Sequence, residues 1–118
     1  MRRLALAGAV AFFSALPAFA SAPPVGPLPN GPTMTVRLAV GRNHTARLAQ
    51  PQVAGRVWRI ARSFDARVVR EVREGETKGQ VWVTFRAVGR GSTRVVFALT
   101  RGETAHAYAA RSFRFVVA

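Results

Sequence analysis

The sequence predicts an all-β domain of seven short strands that pack as two facing antiparallel sheets. From Thr33 onward the apolar residues recur with a period of two, as in a strand that buries one face. Glycine, proline and polar turn residues end each of these stretches after a few residues. Each sheet therefore covers a core on one side only, and two such sheets must face each other across it.

The predicted strands cover residues 34–40, 44–49, 56–62, 67–73, 80–87, 93–100 and 111–117. The fifth strand has the clearest alternation, because Val83 and Phe85 share one side while Trp82 and Thr84 share the other. Strands of this number and spacing are typical of an immunoglobulin-like β-sandwich, and a closed barrel is the alternative. The aromatic residues of the alternating apolar sets are the predicted core: Trp58, Phe85, Phe97, Phe113 and Phe115.

The first 20 residues have the pattern of a signal peptide. Arg2 and Arg3 precede an apolar run that ends at Leu16, and the small residues Ala18 and Ala20 form a cleavage site. The run is too short to span a bilayer, and no later run is long enough. We therefore expect a periplasmic or secreted protein, with a Pro/Gly-rich linker over 21–32 and the sandwich over 33–118.

The chain is strongly basic. It has 18 basic and 5 acidic residues and a net charge of +13, which falls to +11 without Arg2 and Arg3. Such a field attracts polyanions, but the basic residues are spread along the chain with no run of three. We interpret them as a solvated surface, with a polyanion site as the alternative. Trp82 could stack on a base or a sugar, or cover the outer edge of its sheet.

The residues that catalysis requires are scarce. Cysteine is absent, which excludes thiolate catalysis and cysteine-ligated metal sites. His44 and His106 are isolated in the sequence, while Glu71, Glu74 and Glu76 alternate with arginines and are expected to be ionised and solvated. We therefore expect no cofactor, no metal and no enzymatic activity.

Three stretches carry a resemblance to a known family. Pro51, Gly55 and Trp58 occur in an order similar to that family's Asn-Pro-Thr-Thr-Gly-Tyr-x-Trp loop and strand. The strand pair over 81–97 looks like the family's framework, and Arg101 follows it where the family has an Arg-Pro-Trp loop. On these residues the chain resembles the chagasin-like inhibitors of papain-family cysteine peptidases.

The resemblance implies three loops, over 50–55, 74–79 and 101–109, that wedge into the peptidase cleft without presenting a cleavable bond. Because successive strands reverse direction, we expect these loops at one end of the sandwich. The chain departs from the family where Gly102 and Glu103 replace proline and tryptophan, and where both loop threonines are missing. The implied binding residues are Gln50, Pro51, Gln52, Val53, Ala54, Gly55, Gly75, Lys78, Gly79, Arg101, Gly102 and Glu103.

The expected function is thus inhibition of a papain-family cysteine peptidase by a monomeric domain. The alternative is a basic envelope module that binds an anionic polymer or another protein. Salt distinguishes the two, because binding of a polyanion by many arginines weakens steeply as ionic strength rises.

Overall fold

The structure, a computed structural model, describes residues 26–101 and 106–118. The predicted signal peptide, residues 21–25 of the predicted linker, and Gly102 and Glu103 of the third predicted loop lie outside these ranges. Across the described residues the chain forms seven strands and no helix. In this part of the chain, therefore, no helix has the length and apolar character needed to cross a membrane.

The alternating pattern produces seven strands in two separate sheets. The strands are β1 (Thr33–Leu38), β2 (Asn43–Ala49), β3 (Val57–Ile60), β4 (Val69–Thr77), β5 (Gln80–Ala87), β6 (Gly91–Thr100) and β7 (Ala109–Val117). One sheet has the order β1-β7-β6-β3 and the other has the order β2-β5-β4. The predicted seven-stranded immunoglobulin-like β-sandwich is confirmed, and the barrel alternative is wrong.

The pairing differs from the prediction in one respect. β1 lies parallel to β7, whereas the other pairings described are antiparallel. The four-stranded sheet is therefore mixed rather than wholly antiparallel. A parallel β1–β7 pair follows from the six reversals of direction between these two strands.

The predicted loop over 74–79 is wrong, and Gly75 is not a loop residue. β4 continues to Thr77, which pairs with Gln80, so that the connection is the two-residue turn Lys78-Gly79. The polar composition of 74–77 resembled a loop, yet pairing with β5 satisfies its backbone hydrogen bonds. A register shift between Glu71 and Arg73 leaves Val72 outside the pairing and exposed.

The core is built around four phenylalanines. Phe85, Phe97, Phe113 and Phe115 are almost completely buried, and their rings meet edge to face or tilted, with centroids 5.3–6.4 Å apart. This part of the core prediction is confirmed. Trp58 differs, because it packs against the cluster but stays partly exposed at one end of the sandwich.

Residues 26–32 of the predicted linker lie against the outer face of the four-stranded sheet. Ser112 donates its N–H to the carbonyl of Pro32, and Arg62 donates Nη2 to the carbonyl of Gly26. Leu28 packs on a small cluster of alanines on the same face. The segment therefore covers part of this sheet.

Candidate functional site

The directions of the strands bring three connections to one end of the sandwich. β2 and β4 both run antiparallel to β5, so the chain leaves both at the same end. β3 begins at that end, after residues 50–56, and runs antiparallel to β6, so the chain leaves β6 there as well. We call this the loop end. It comprises residues 50–56 after β2, the turn 78–79 after β4, and the described part of 101–108 after β6.

The first connection has a defined turn at its tip. The N–H of Arg56 donates to the carbonyl of Val53 over 3.4 Å, and Gly55 between them has φ +86°. A positive φ at the third of four residues is characteristic of a type II turn and favours glycine. The side chain of Val53 is 50% exposed at this tip. The turn therefore presents an apolar side chain to solvent.

The first connection also lies between the other two. At its start, the N–H of Gln50 donates to the carbonyl of Gly79 in the second connection, over 3.1 Å. At its end, the guanidinium carbon of Arg56 lies 3.8 Å from the ring centre of Tyr108 in the third connection. This distance is that of a close cation–π contact. Contacts at both ends thus hold the first connection in place between its neighbours.

Trp58 supports the first connection from beneath. Its Nε1 donates to the carbonyl of Ala49 over 2.9 Å, which links β3 of one sheet to the end of β2 in the other. These two residues flank the connection, while the indole packs against the core. A single side chain therefore fixes the span between the two ends of the loop.

The structure brings most of the predicted site residues together. Gln50, Pro51, Gln52, Val53, Ala54 and Gly55 form the first connection, Lys78 and Gly79 form the second, and exposed Arg101 begins the third. Gly75 lies instead inside β4, beneath the ring of Trp82. Gly102 and Glu103 lie outside the described residues.

The sequence prediction missed two groups that shape the loop end. Tyr108 lies in the third predicted loop without a predicted role, yet its N–H donates to the carbonyl of Leu99 and its ring contacts the guanidinium of Arg56. His106 meets the same ring with centroids 4.6 Å apart. The sequence offered one signal for Tyr108, which is that it is the only tyrosine of the chain. Trp58 was predicted as core, but its hydrogen bond to Ala49 was not foreseen.

The prediction that the glutamates of β4 are solvated is wrong for Glu71. The register places Glu71 opposite Phe85, on the side of the sheet that faces the core. Burial raises the pKa of Glu71 to about 7, although a hydrogen bond with Glu74 opposes the rise. Within 26–101 and 106–118, no cluster of three or more His, Asp or Glu side chains is placed to hold a metal ion.

The fold and the loop end define an immunoglobulin-like domain that offers preformed connections at one end. Among solved structures, the chain is similar to that of the cysteine protease inhibitor EhICP2 from Entamoeba histolytica, with a TM-score of 0.59 and 10% identity, over 76% of this chain and 99% of that one. It is also similar to the solution structure of amebosin, with a TM-score of 0.51 and 15% identity, over 76% of this chain and 100% of that one. These likenesses show a shared fold. No protein-family model matches the sequence, and no curated protein matches it.

Proposed function

We propose that the domain inhibits papain-like cysteine peptidases by placing the loop end in their active-site cleft. It acts by binding and not by catalysis. The observation that carries the proposal is the position of residues 50–56 between the other two connections, with contacts to both. A cysteine protease inhibitor with the same fold supports this reading.

Preorganisation is the physical advantage of this arrangement. A loop that is ordered before binding loses less conformational entropy in the complex. In the first connection the turn at Gly55, the contact of Arg56 with Tyr108 and the hydrogen bond of Trp58 each restrict the backbone. The first connection therefore needs little further ordering when it binds a partner.

Val53 is the apolar group best placed to enter the cleft. It is half-exposed at the tip of the central connection, and apolar anchors that become desolvated dominate the affinity of most interfaces. The family that the chain resembles has a tryptophan in its third loop, where this chain has Glu103. Val53 compensates for this loss by supplying an apolar contact from the first connection.

The experiment compares two exposed valines at opposite ends of the sandwich. Val53 and Val40 are each 50% exposed, but Val40 lies in the connection after β1. Inhibition constants are measured against a panel of papain-type peptidases for the parent, Val53→Ser and Val40→Ser. We expect Val53→Ser to weaken inhibition about tenfold, as loss of an interface anchor does, and Val40→Ser to leave it unchanged. Arg101→Ala tests the third connection in the same assay.

Two outcomes would contradict the proposal. If the parent inhibits no peptidase of the panel at micromolar concentration, the inhibitor function is wrong. If the parent inhibits and the two valine variants are indistinguishable, the inhibitory surface lies elsewhere on the molecule. Thermal melting of both variants serves as the control, because exposed side chains contribute little to stability.

A further inference from the structure

The outer face of the three-stranded sheet concentrates positive charge. The register aligns its outward residues in rows across β2, β5 and β4. One row is Asn43, Arg86 and Arg70; the next is Thr45, Thr84 and Arg73; the third is Arg47, Trp82 and Gly75. The four arginines are exposed. We call this surface the arginine face.

The carboxylates that could neutralise this face point elsewhere. Glu71, Glu74 and Glu76 of β4 pair with Phe85, Val83 and Val81, the residues of β5 that share the inward side. Asp65 lies in the connection before β4 and binds Arg67 through both carboxylate oxygens. Among the described residues, the arginine face therefore carries no acidic side chain.

Two arginines of the arginine face repel each other across neighbouring strands. Arg70 and Arg86 are direct cross-strand partners. Like charges in directly opposite positions destabilise a sheet. Arg86 donates Nε to the amide oxygen of Asn43, which orients its guanidinium without neutralising it. The four-stranded sheet has a similar pair, Arg94 and Arg114, so the repulsion alone does not distinguish the arginine face; the presence of Trp82 among its arginines does.

Trp82 forms a flat platform among the arginines. A Cβ at Gly75 would lie 2.6 Å from Cζ2 of Trp82, so the indole rests directly on the glycine backbone. Its Nε1 donates to the hydroxyl of Thr77 over 2.9 Å, and the guanidinium carbon of Arg73 lies 5.9 Å from the ring centre. One face of the indole ring thus packs on the sheet, and the side chain as a whole remains partly exposed to solvent.

We propose that the arginine face binds a linear anionic polysaccharide. A sugar ring stacks on the exposed side of Trp82, and sulfate, phosphate or carboxylate groups of neighbouring sugars pair with Arg47 and Arg73 on either side. Guanidinium groups suit this role, because their planar donors match the geometry of oxyanions. The inference is independent of the proposed peptidase inhibition, because the face lies on the side of the sandwich and not at the loop end.

The flat platform also argues against two other occupants. A membrane anchor requires an aromatic side chain that projects into the headgroup region, whereas Trp82 lies along the sheet. A single-stranded nucleic acid is held by several rings that stack on successive bases, whereas Trp82 is the only aromatic residue described on this face. One platform surrounded by charges fits a polymer whose affinity comes mainly from its anionic groups.

The opposite side of the sandwich provides a charge-matched control. Arg94 and Arg114 are exposed direct partners on β6 and β7, and they lie on the outer face of the four-stranded sheet. Residues 26–32 cover part of that sheet. Arg47→Gln/Arg73→Gln and Arg94→Gln/Arg114→Gln therefore remove equal charge from the two sides of the molecule.

The test is titration of the purified protein with a heparin-derived octasaccharide, followed by calorimetry and tryptophan fluorescence. Exposed ion pairs contribute a few-fold each, so we expect the Arg47/Arg73 variant to bind about tenfold more weakly. The Arg94/Arg114 variant should stay within about twofold of the parent. Trp82→Val should weaken binding several-fold and remove the fluorescence change, and added salt should weaken binding of the parent.

Several results would overturn the inference. Equal losses in the two double variants would mean that the octasaccharide senses only net charge. Unchanged affinity of Trp82→Val would exclude the stacking platform. Tighter binding of a single-stranded oligonucleotide of equal charge, or of anionic lipid vesicles, would assign the face to that partner instead. Circular dichroism of each variant establishes that it is folded.

Discussion

The two ends of the sandwich are closed in different ways. At the end opposite the loop end, formed by the connections 39–42, 61–68 and 88–90, the backbone closes the structure. Gly41 donates its N–H to the carbonyl of Ala87 over 2.7 Å, and Ala87 donates its own to the carbonyl of Arg42. The N–H of Val88 donates to the carbonyl of Val68. Backbone hydrogen bonds thus join the connection 39–42 to the end of β5, and the connection 88–90 to the connection 61–68.

At the loop end, side chains make most of these links. Trp58 reaches the carbonyl of Ala49, and Arg56 covers the ring of Tyr108. One backbone hydrogen bond, from Gln50 to Gly79, joins the first connection to the second. Because these side chains hold the first connection from beneath, its tip stays exposed and can contact a partner. The comparison shows how one sandwich can have a closed end and an end that is available for binding.

The largest expected effects come from truncating aromatic side chains, in the core first and at the loop end second. We expect Trp58→Ala to lower the free energy of unfolding by about 2–3 kcal/mol, somewhat less than a fully buried aromatic residue. Phe85→Ala, at the centre of the core, should cost about 3–5 kcal/mol. Urea titrations of both variants measure these losses. The order follows from burial, since Phe85 is completely buried and Trp58 is not.

The same substitution distinguishes support of the fold from support of the loop. Trp58→Phe keeps most of the packing but loses the hydrogen bond to Ala49, so it should cost only about 1 kcal/mol. Peptidase inhibition should nevertheless weaken, because the two ends of the first connection are no longer tied. If Trp58→Phe inhibits as well as the parent, the tryptophan stabilises the sandwich without positioning the loop.

The next effect depends on pH and concerns β4. The pKa of Glu71 is raised to about 7 in the folded protein, from an ordinary value of 4.5. Below pH 4.5 the carboxyl is protonated in both states and contributes nothing. Between pH 4.5 and 7 the unfolded chain loses its proton first, so the free energy of unfolding falls as pH rises. Above pH 7 the loss is constant at about 3 kcal/mol.

Glu71→Gln should remove this penalty. We expect the variant to be about 2–3 kcal/mol more stable than the parent at pH 8 and equally stable at pH 4. Glu76→Gln is the control, because Glu76 lies on the same side of β4 but is exposed. Denaturation at a series of pH values measures both variants. The parent profile alone does not isolate Glu71, because burial lowers the pKa of His44 and its titration makes stability rise with pH. A Glu71→Gln variant that is no more stable than the parent at pH 8 would contradict the raised pKa. Glu71 lies only two residues after the start of β4, so ionisation should loosen the closed end more than the loop end.

The strands that a local sequence pattern encodes could be predicted from the sequence, whereas contacts between residues distant in the chain could not. β5 is predicted with its observed bounds, because its alternating apolar residues face a continuous core. β4 is not, because Glu74 to Thr77 are polar and only pairing with β5 makes them a strand. The loop end was expected from alternating strand directions. The contact of Arg56 with Tyr108 joins residues far apart in the chain, and no local pattern encodes it.

The smallest expected effect uses two glycines that differ mainly in their position. Gly55 at the loop end has φ +86°, and Gly41 at the closed end has φ +93°. At either position a Cβ would meet nothing within 4 Å, so alanine introduces backbone strain without a steric clash. Strain of this kind costs about 1 kcal/mol. We expect Gly55→Ala and Gly41→Ala to lower the free energy of unfolding by similar amounts in urea titrations.

The two alanine variants should differ in how they bind a peptidase. In Gly55→Ala the strain acts on the turn that presents Val53, and any relaxation of the backbone displaces this tip from its preorganised position. If the complex must restore the strained turn, about 1 kcal/mol of affinity is lost, which is about fivefold in the inhibition constant. Gly41→Ala is strained at the far end and should inhibit like the parent. Equal inhibition by both variants would mean that the conformation of the first connection does not determine affinity, and that the side chains beneath the loop end serve stability alone.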